Sequence, residues 1–228
     1  MNTVSTEGIV LRRTNYGESD RIITMLTKDH GKISLLAKGV RKQKSKLAGG
    51  IELFSISQIS YIDGNSDLKI LTSSQLVKHF GDIVKDLDKT MFGYDVLQIM
   101  NKHAEGHEGG AMHQITALTF EALHDAKVSL QSVATWFYVR LLDELGMSLN
   151  TVTDDHGNKL SAEKSYHFDA PSMSLTHHPD GHIKSAHIKL LRILHDCSPA
   201  ALAKIQQLDD LAGVCLPLTK TAYLYHHP

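Results

Sequence analysis

Arg21-Ile22-Ile23-Thr24-Met25-Leu26-Thr27, then Lys28-Asp29-His30-Gly31, then Lys32-Ile33-Ser34-Leu35-Leu36-Ala37 decide the fold of the amino-terminal region. The outer segments are short runs rich in β-branched and apolar side chains, and the middle one is turn chemistry, with Gly31 free to take positive φ. Strand, tight turn, strand is the local reading. Working outward, residues 7–14 (Glu-Gly-Ile-Val-Leu-Arg-Arg-Thr) read as a preceding strand, joined by the turn Asn15-Tyr16-Gly17-Glu18. Residues 51–62 read as a long fourth strand whose apolar phase switches around Gln58, the mark of a bulge or a barrel corner. Asp63-Gly64-Asn65-Ser66 is a hairpin signal, and residues 68–72 give a fifth strand. Five short strands with turns between them predict a small closed barrel; the oligonucleotide-binding (OB) barrel fits best, and an SH3-like barrel is the nearest competitor.

Between the third and fourth strands lies Lys38-Gly39-Val40-Arg41-Lys42-Gln43-Lys44-Ser45-Lys46-Leu47, closed by Gly49-Gly50. It carries Lys38, Arg41, Lys42, Lys44 and Lys46 and no acid. That density suits a polyanion, because each phosphate neutralised releases condensed counterions. Arg41 adds a fork able to hold a phosphate by two bonds. The plainer reading is a solvated basic loop.

The 228 residues, 42% of them hydrophobic, suffice for one large or two small domains. Net charge is −1, but its distribution is uneven. Residues 1–80 hold twelve Lys/Arg against seven Asp/Glu, and residues 81–228 hold twelve against eighteen. Two modules with different partners are the expectation. Cys197 and Cys215 sit in apolar surroundings and read as reduced core thiols. There is no apolar leader and no run long enough to span a membrane, so a cytoplasmic protein is expected.

After Ser73 the period turns helical. Ile83, Leu87 and Met91, then Val96, Leu97 and Met100, predict a core-facing helix interrupted at Gly93, and Gly106 to Gly110 reads as a flexible break. Met112, Ile115, Leu118 and Ala122 mark a second helix. Leu130, Val133, Trp136, Phe137, Leu141 and Leu145 mark a third, stopped by Gly146, with Trp136 and Phe137 as core filler. Residues 147–184 are polar and aperiodic, an insertion in which Tyr166–Asp169 and Ser174–Thr176 can pair. Helical pattern returns at Ile188, Leu191 and Leu194, Ser198-Pro199 opens another helix, and a last one starts near Asp209 with Pro217 bending or breaking it. The tail His226-His227-Pro228 reads as frayed.

Glu7-Gly8-Ile9-Val10-Leu11, Tyr16-Gly17-Glu18-Ser19-Asp20-Arg21-Ile22-Ile23, Thr27 to Gly31 and Ala37-Lys38-Gly39-Val40-Arg41-Lys42 together resemble the RecO family of bacterial DNA-repair proteins, as does Arg140-Leu141-Leu142-Asp143-Glu144-Leu145-Gly146. The ordered match covers about the first 60 residues; the helical part matches in layout more than in letters. The resemblance implies an α+β chain of two domains. Residues 1–79 would be an OB-fold nucleic-acid-binding domain, and residues 80–228 a helical domain with the inserted loop and hairpin region 147–184. It further implies a recombination mediator, not an enzyme, that binds single- and double-stranded DNA, anneals complementary strands, and works with RecR to load RecA onto DNA coated by single-strand binding protein (SSB). The DNA-contact candidates carried over are Lys38, Arg41, Lys42, Lys44, Lys46, Arg12 and Arg13. Tyr16, Phe54 and Tyr61 could stack bases, or Phe54 and Tyr61 could fill the core. For the acidic SSB tail, Lys184, Lys189 and Arg192 are candidate cations.

The family's insertion commonly binds zinc through two Cys-x-x-Cys pairs. Here the first falls near Thr153-Asp154-Asp155-His156-Gly157 and the second near Leu175 to Pro179, neither with cysteine. His156, His167, His177, His178 and His182 could replace them, or be solvated. The expectation is that the zinc site is lost and no cofactor is bound. An RNA-binding OB module and a protein-interaction adaptor remain as alternative functions. No His-Glu-x-x-His or phosphate-cradling Gly-x-x-x-x-Gly-Lys motif supports an enzyme.

Overall fold

β1 (Asn2–Tyr16), β2 (Asp20–Thr27), β3 (Gly31–Ala37), β4 (Ser55–Asp63) and β5 (Leu68–His79) close into a barrel in the order β1-β2-β3-β5-β4. The structure is a computed structural model that describes residues 2–105 and 110–227. β1 is long enough to pair twice: Gly8–Tyr16 with β2 and Asn2–Ile9 with β4. Closure comes from a parallel seam, Ser34–Leu36 against Leu68–Ile70. This strand order with one parallel seam decides for the OB barrel over the SH3-like one.

Alternation builds the interior. Ile33, Leu35 and Ala37 of β3 point inward, joined by Val10, Ile23, Met25, Ile59, Tyr61 and Leu71. Three bulges bend the sheet. One leaves Leu11 of β1 unpaired, and two lie in the β4–β5 ladder on either side of Gln58, with the extra residues on β5. The bend expected near Gln58 is carried by these insertions in β5; β4 itself keeps one phase, with Ser57, Ile59 and Tyr61 buried and Gln58 exposed. Two strand limits differ from expectation. β4 starts at Ser55, because residues 48–54 instead plug the barrel end with Ala48, Ile51 and Leu53. β5 runs on to His79, paired as far as Ser55, where a helix was expected after Ser73.

The chain forms two compact units, residues 1–124 and 125–228. The expected division at 79/80 marks where strands give way to helices, but two helices cluster with the barrel. They are α1 (Leu87–His103), capped by Asp86 on the Lys89 N–H, and α2 (Gly110–Asp125). α1 runs unbroken through Gly93. A Cβ there would lie 2.7 Å from the Phe54 ring, so glycine allows a close approach rather than a break. Its buried face is Phe92, Val96, Leu97 and Met100; Leu87 and Met91, expected in the core, are 74% and 60% exposed. Of the expected α2 core, Met112 and Ile115 are buried, with Thr116, Thr119 and Phe120 beside them. The break expected at Gly106 to Gly110 falls, apart from Gly110, outside the described residues.

The second unit contains α3 (Leu130–Glu144), the hairpin β6 (Tyr166–Asp169) and β7 (Ser174–His177), α4 (Ser185–Asp196), the single turn α5 (Pro199–Leu202) and α6 (Leu208–His226). α3 is capped by Ser129 and stopped by Gly146 at φ 72°. It buries Trp136 and Phe137, as expected, and the Trp136 indole N–H donates to the Cys197 carbonyl at 2.8 Å. The helical assignment of α6 continues through Pro217. His226, expected to fray, contacts the Ala170 carbonyl through Nε2 at 3.0 Å, and Pro228 lies outside the described residues.

Candidate nucleic-acid interface

Register places the basic loop. Tyr16 pairs with Asp20, and Arg21 pairs with both Asn15 and Ala37. The end of β1, the start of β2 and the end of β3 therefore meet at one end of the barrel, and the 17–19 turn lies beside the 38–47 loop. Gly17 (φ 56°) and Gly39 (φ 65°) supply the left-handed residues these two turns need. The loop is tied to the turn. Gly39 N–H donates to Asp20 Oδ1 at 2.7 Å, Arg41 N–H to the Ser19 carbonyl at 2.9 Å, and the Arg41 guanidinium to the Gly17 carbonyl at 3.4 Å. Internal turns follow, Lys42 N–H to the Gly39 carbonyl and Ser45 N–H to the Lys42 carbonyl. Val40 is buried in the barrel core, with Leu47 and Ala48 packed against it.

With its apolar residues turned in, the loop turns its cations out: Lys38, Arg41, Lys42, Lys44 and Lys46 are all exposed. The carboxylate of Asp20 lies below its ordinary range. The Gly39 N–H bond is the main cause; burial opposes it, while Ser19, Lys38 and Lys42 add to the lowering. The acidic hairpin of Asp63 and Asp67 is at the other end of β1, where Asp63 pairs with Asn2 and ion-pairs Lys69.

The two remaining candidates separate. Arg12, opposite Thr24, is exposed. Arg13 lies opposite the core residue Ile23, hence on the inward face, and its guanidinium pairs with Glu52 at 2.7 Å. Its charge is already met, unlike those of the loop. Among the aromatics, Tyr16 is 53% exposed at the end of β1. Phe54 and Tyr61 are buried core residues, Phe54 edge-on to Tyr94 and Phe120. Reading the sequence missed Asp20 and Ser19 as partners of the loop. The turn was legible as a turn, but the loop's seat on it depends on β2–β3 register.

The second unit spends its polar groups on itself. Around residues 153–157, where the resemblance leads one to expect a first cysteine pair, Thr153 bridges Lys159 around a tight knuckle. Asp154 Oδ1 accepts the N–H of His156 (3.0 Å) and of Asn158 (2.8 Å), and Oδ2 accepts the Asn158 amide. Burial pushes the Asp154 pKa up, but the Asn158 and His156 bonds outweigh it and leave the carboxyl below its ordinary range. At the second position, His178 Nδ1 accepts the Asp180 N–H and His177 Nδ1 contacts the Ser165 carbonyl. His167 stacks near His178 and His182, with ring centroids 4.7 and 5.8 Å away. This donor set does not fit structural zinc. No thiolate is present, the carboxylate is committed to N–H groups, and among the described residues no three ligating side chains converge. The hairpin expected within the insertion is present, with Tyr166 also bridging Ile183.

Asp143, Ser148 and His195 bring together the side-chain types of a hydrolytic triad. Yet Ser148 donates to Asp143 Oδ1 at 2.7 Å, and His195 Nδ1 contacts Asp143 Oδ2 at 2.6 Å. His195 contacts the carboxylate rather than the Ser148 hydroxyl, so the group is a tie between α3 and α4. Burial raises the pKa of Cys197, and pushes that of Cys215 up to about 12, which suits unreactive thiols. Of the cations suggested for an acidic peptide, Arg192 is bonded to the Thr151 carbonyl, while Lys184 and Lys189 are exposed. No helix among the described residues is long and apolar enough to cross a membrane.

Known proteins bear on this geometry. Residues 1–80 match the family described as recombination protein O N terminal. The chain is 33% identical over 147 residues to a DNA repair protein RecO of Acetivibrio thermocellus, covering 64% of this chain and 58% of that protein. It is 32% identical over 143 residues to that of Listeria welshimeri (62% and 55%), and 31% over 146 residues to that of Heliobacterium modesticaldum (64% and 52%). The chain thus spans little more than half the length of these relatives. Residues 1–80, with their β1-β2-β3-β5-β4 barrel and the basic loop between β3 and β4, are thus similar to the amino-terminal domain of RecO proteins.

Proposed function

We propose that this protein is a DNA-repair and recombination mediator that binds single- and double-stranded DNA without reading bases, anneals complementary strands, and works with RecR to load RecA on SSB-coated DNA. The observation that carries it is the pinned loop with five outward cations, Lys38, Arg41, Lys42, Lys44 and Lys46, at one end of an OB barrel. Such a surface neutralises phosphates on two strands at once, lowers their mutual repulsion and lets base pairing proceed. Tyr16 beside the loop offers a face for stacking, and Arg12 extends the cationic track. The role is non-enzymatic, in the cytoplasm and on the nucleoid. Lys184 and Lys189 are the candidate contacts for the acidic SSB tail. The insertion folds without metal, held by Asp154 and the β6–β7 hairpin.

Titration of fluorescent single-stranded DNA, duplex DNA and single-stranded RNA at two salt concentrations tests the reading. Binding to both DNA forms, weakening steeply with salt, is expected. Binding to RNA alone makes the barrel an RNA module, and no binding to any of the three ends the proposal.

A further inference from the structure

We infer that Asp20 is a positioning residue for the cationic loop: its carboxylate holds the Gly39 N–H at 2.7 Å and so fixes the segment that carries Lys38, Arg41 and Lys42. The inference rests on the reading of that loop as the phosphate-contacting surface. Asp20 opens β2, and its Oδ1 also accepts the Ser19 hydroxyl at 3.1 Å, so the acceptor is itself oriented. Ser19 in turn receives the Arg41 N–H through its carbonyl. Residues 19 and 20 thus grip residues 41 and 39, and the residue between, Val40, is driven into the core. Gly39 is the weak point of the loop. Glycine has the widest backbone freedom, and here it must stay at φ 65°. Without a side-chain acceptor at position 20, that conformation loses its tie. The cations would then have to be ordered at the moment of binding, which costs affinity.

The sign of the effect separates this role from simple charge. Asp20 is an acid beside Lys38 and Lys42. On Coulomb grounds alone, removing it tightens binding to a polyanion. As an anchor, its removal weakens binding. Asp20→Asn and Asp20→Ala change the net charge identically, but only asparagine keeps the acceptor oxygen.

Both variants are titrated with single-stranded DNA across a salt series, beside the native protein and the Lys38/Arg41/Lys42/Lys44 quadruple alanine variant. Asp20→Ala is expected to bind about five- to tenfold more weakly, with a salt slope flatter by about one counterion. Asp20→Asn should bind within about twofold of the native protein, or more tightly. A residue needed only for general folding would lower melting temperature without this split. If the two variants bind alike, whether tighter, weaker or unchanged, the anchor is refuted. If the quadruple variant binds like the native protein, the loop reading itself has failed. Hydrogen exchange at the native Gly39 amide then decides the anchor alone, as it does if Asp20→Ala fails to fold. A protected amide supports the tie, and exchange at the rate of a free peptide overturns it.

Discussion

The 38–47 loop and the 147–184 insertion are both polar, aperiodic segments, yet they dispose of their polar groups in opposite ways. In the insertion, carboxylates and imidazoles turn back onto main-chain partners: Asp154 onto His156 and Asn158, Asp169 onto Ser172, His178 onto Asp180. In the loop, the ties are made by the neighbouring turn and by Val40, and the long cationic side chains are left pointing outward. The difference teaches how to tell a loop that supports itself from one that presents a surface. The first satisfies its side chains internally; the second is satisfied through its backbone.

The sharpest way to break this contrast is to strip the loop. Replacing Lys38, Arg41, Lys42 and Lys44 with alanine should weaken DNA binding roughly a hundredfold at moderate salt and flatten the salt slope by about three to four, measured by anisotropy. Melting temperature should hardly change, because these side chains make few internal contacts. Unchanged affinity would mean the outward cations have no ligand to meet.

Acid titration sharpens the contrast further, since each region has its own sensor. In the barrel unit, burial chiefly, with Lys28 adding and Asp29 opposing, lowers the pKa of His113 to about 4; among the described residues its Nε2 has no hydrogen-bond partner, with Glu7 Oε1 4.0 Å away. Its unfolded form titrates near 6.5, so the folded state binds fewer protons between these values. Stability is then complete above pH 6.5 and is lost as pH falls toward 4, by on the order of 3 kcal/mol. His113→Met should flatten that part of the profile in calorimetric melts. Asp154 responds in a lower window. Its folded pKa is depressed, so its contribution is full above the ordinary carboxylate range and lost as pH falls through the lowered value.

Asp154→Ala, with a smaller expected effect, should raise amide exchange across residues 153–160 and lower melting temperature by a few degrees, while DNA affinity stays within about twofold. A chelator should not change the native melting curve, and a chelator-induced drop would restore a metal to the insertion. The smallest effect is reserved for Arg13→Ala. Because Arg13 already faces Glu52, DNA affinity should fall less than about twofold, against several-fold for Arg41→Ala.

Much of this was legible beforehand, and the misses have physical causes. The barrel could be read because alternation in β3 and turn chemistry at Lys28–Gly31 are local signals. The end of β5 could not, because residues 73–79 alternate poorly and are held by pairing with β4. Gly93 looked like a helix break, when the reason for glycine is the Phe54 ring, 39 residues upstream in the chain. Leu87 and Met91 carried the right period but belong to the exposed side of α1, which a single sequence cannot distinguish from the buried side. At the candidate site the cations were legible by density. Arg13 was not separable from Arg12, because the bulge at Leu11 and the Glu52 pairing are tertiary facts.

The seam between β3 and β5 joins only three residue pairs, against eight between β1 and β2. A cylinder zipped so unevenly opens first along its thinnest join. Opening there would free one side of β5 while the β1-β2-β3 meander, with the turn and loop mounted on its end, stays intact. The cationic end would thus outlast the closed cylinder.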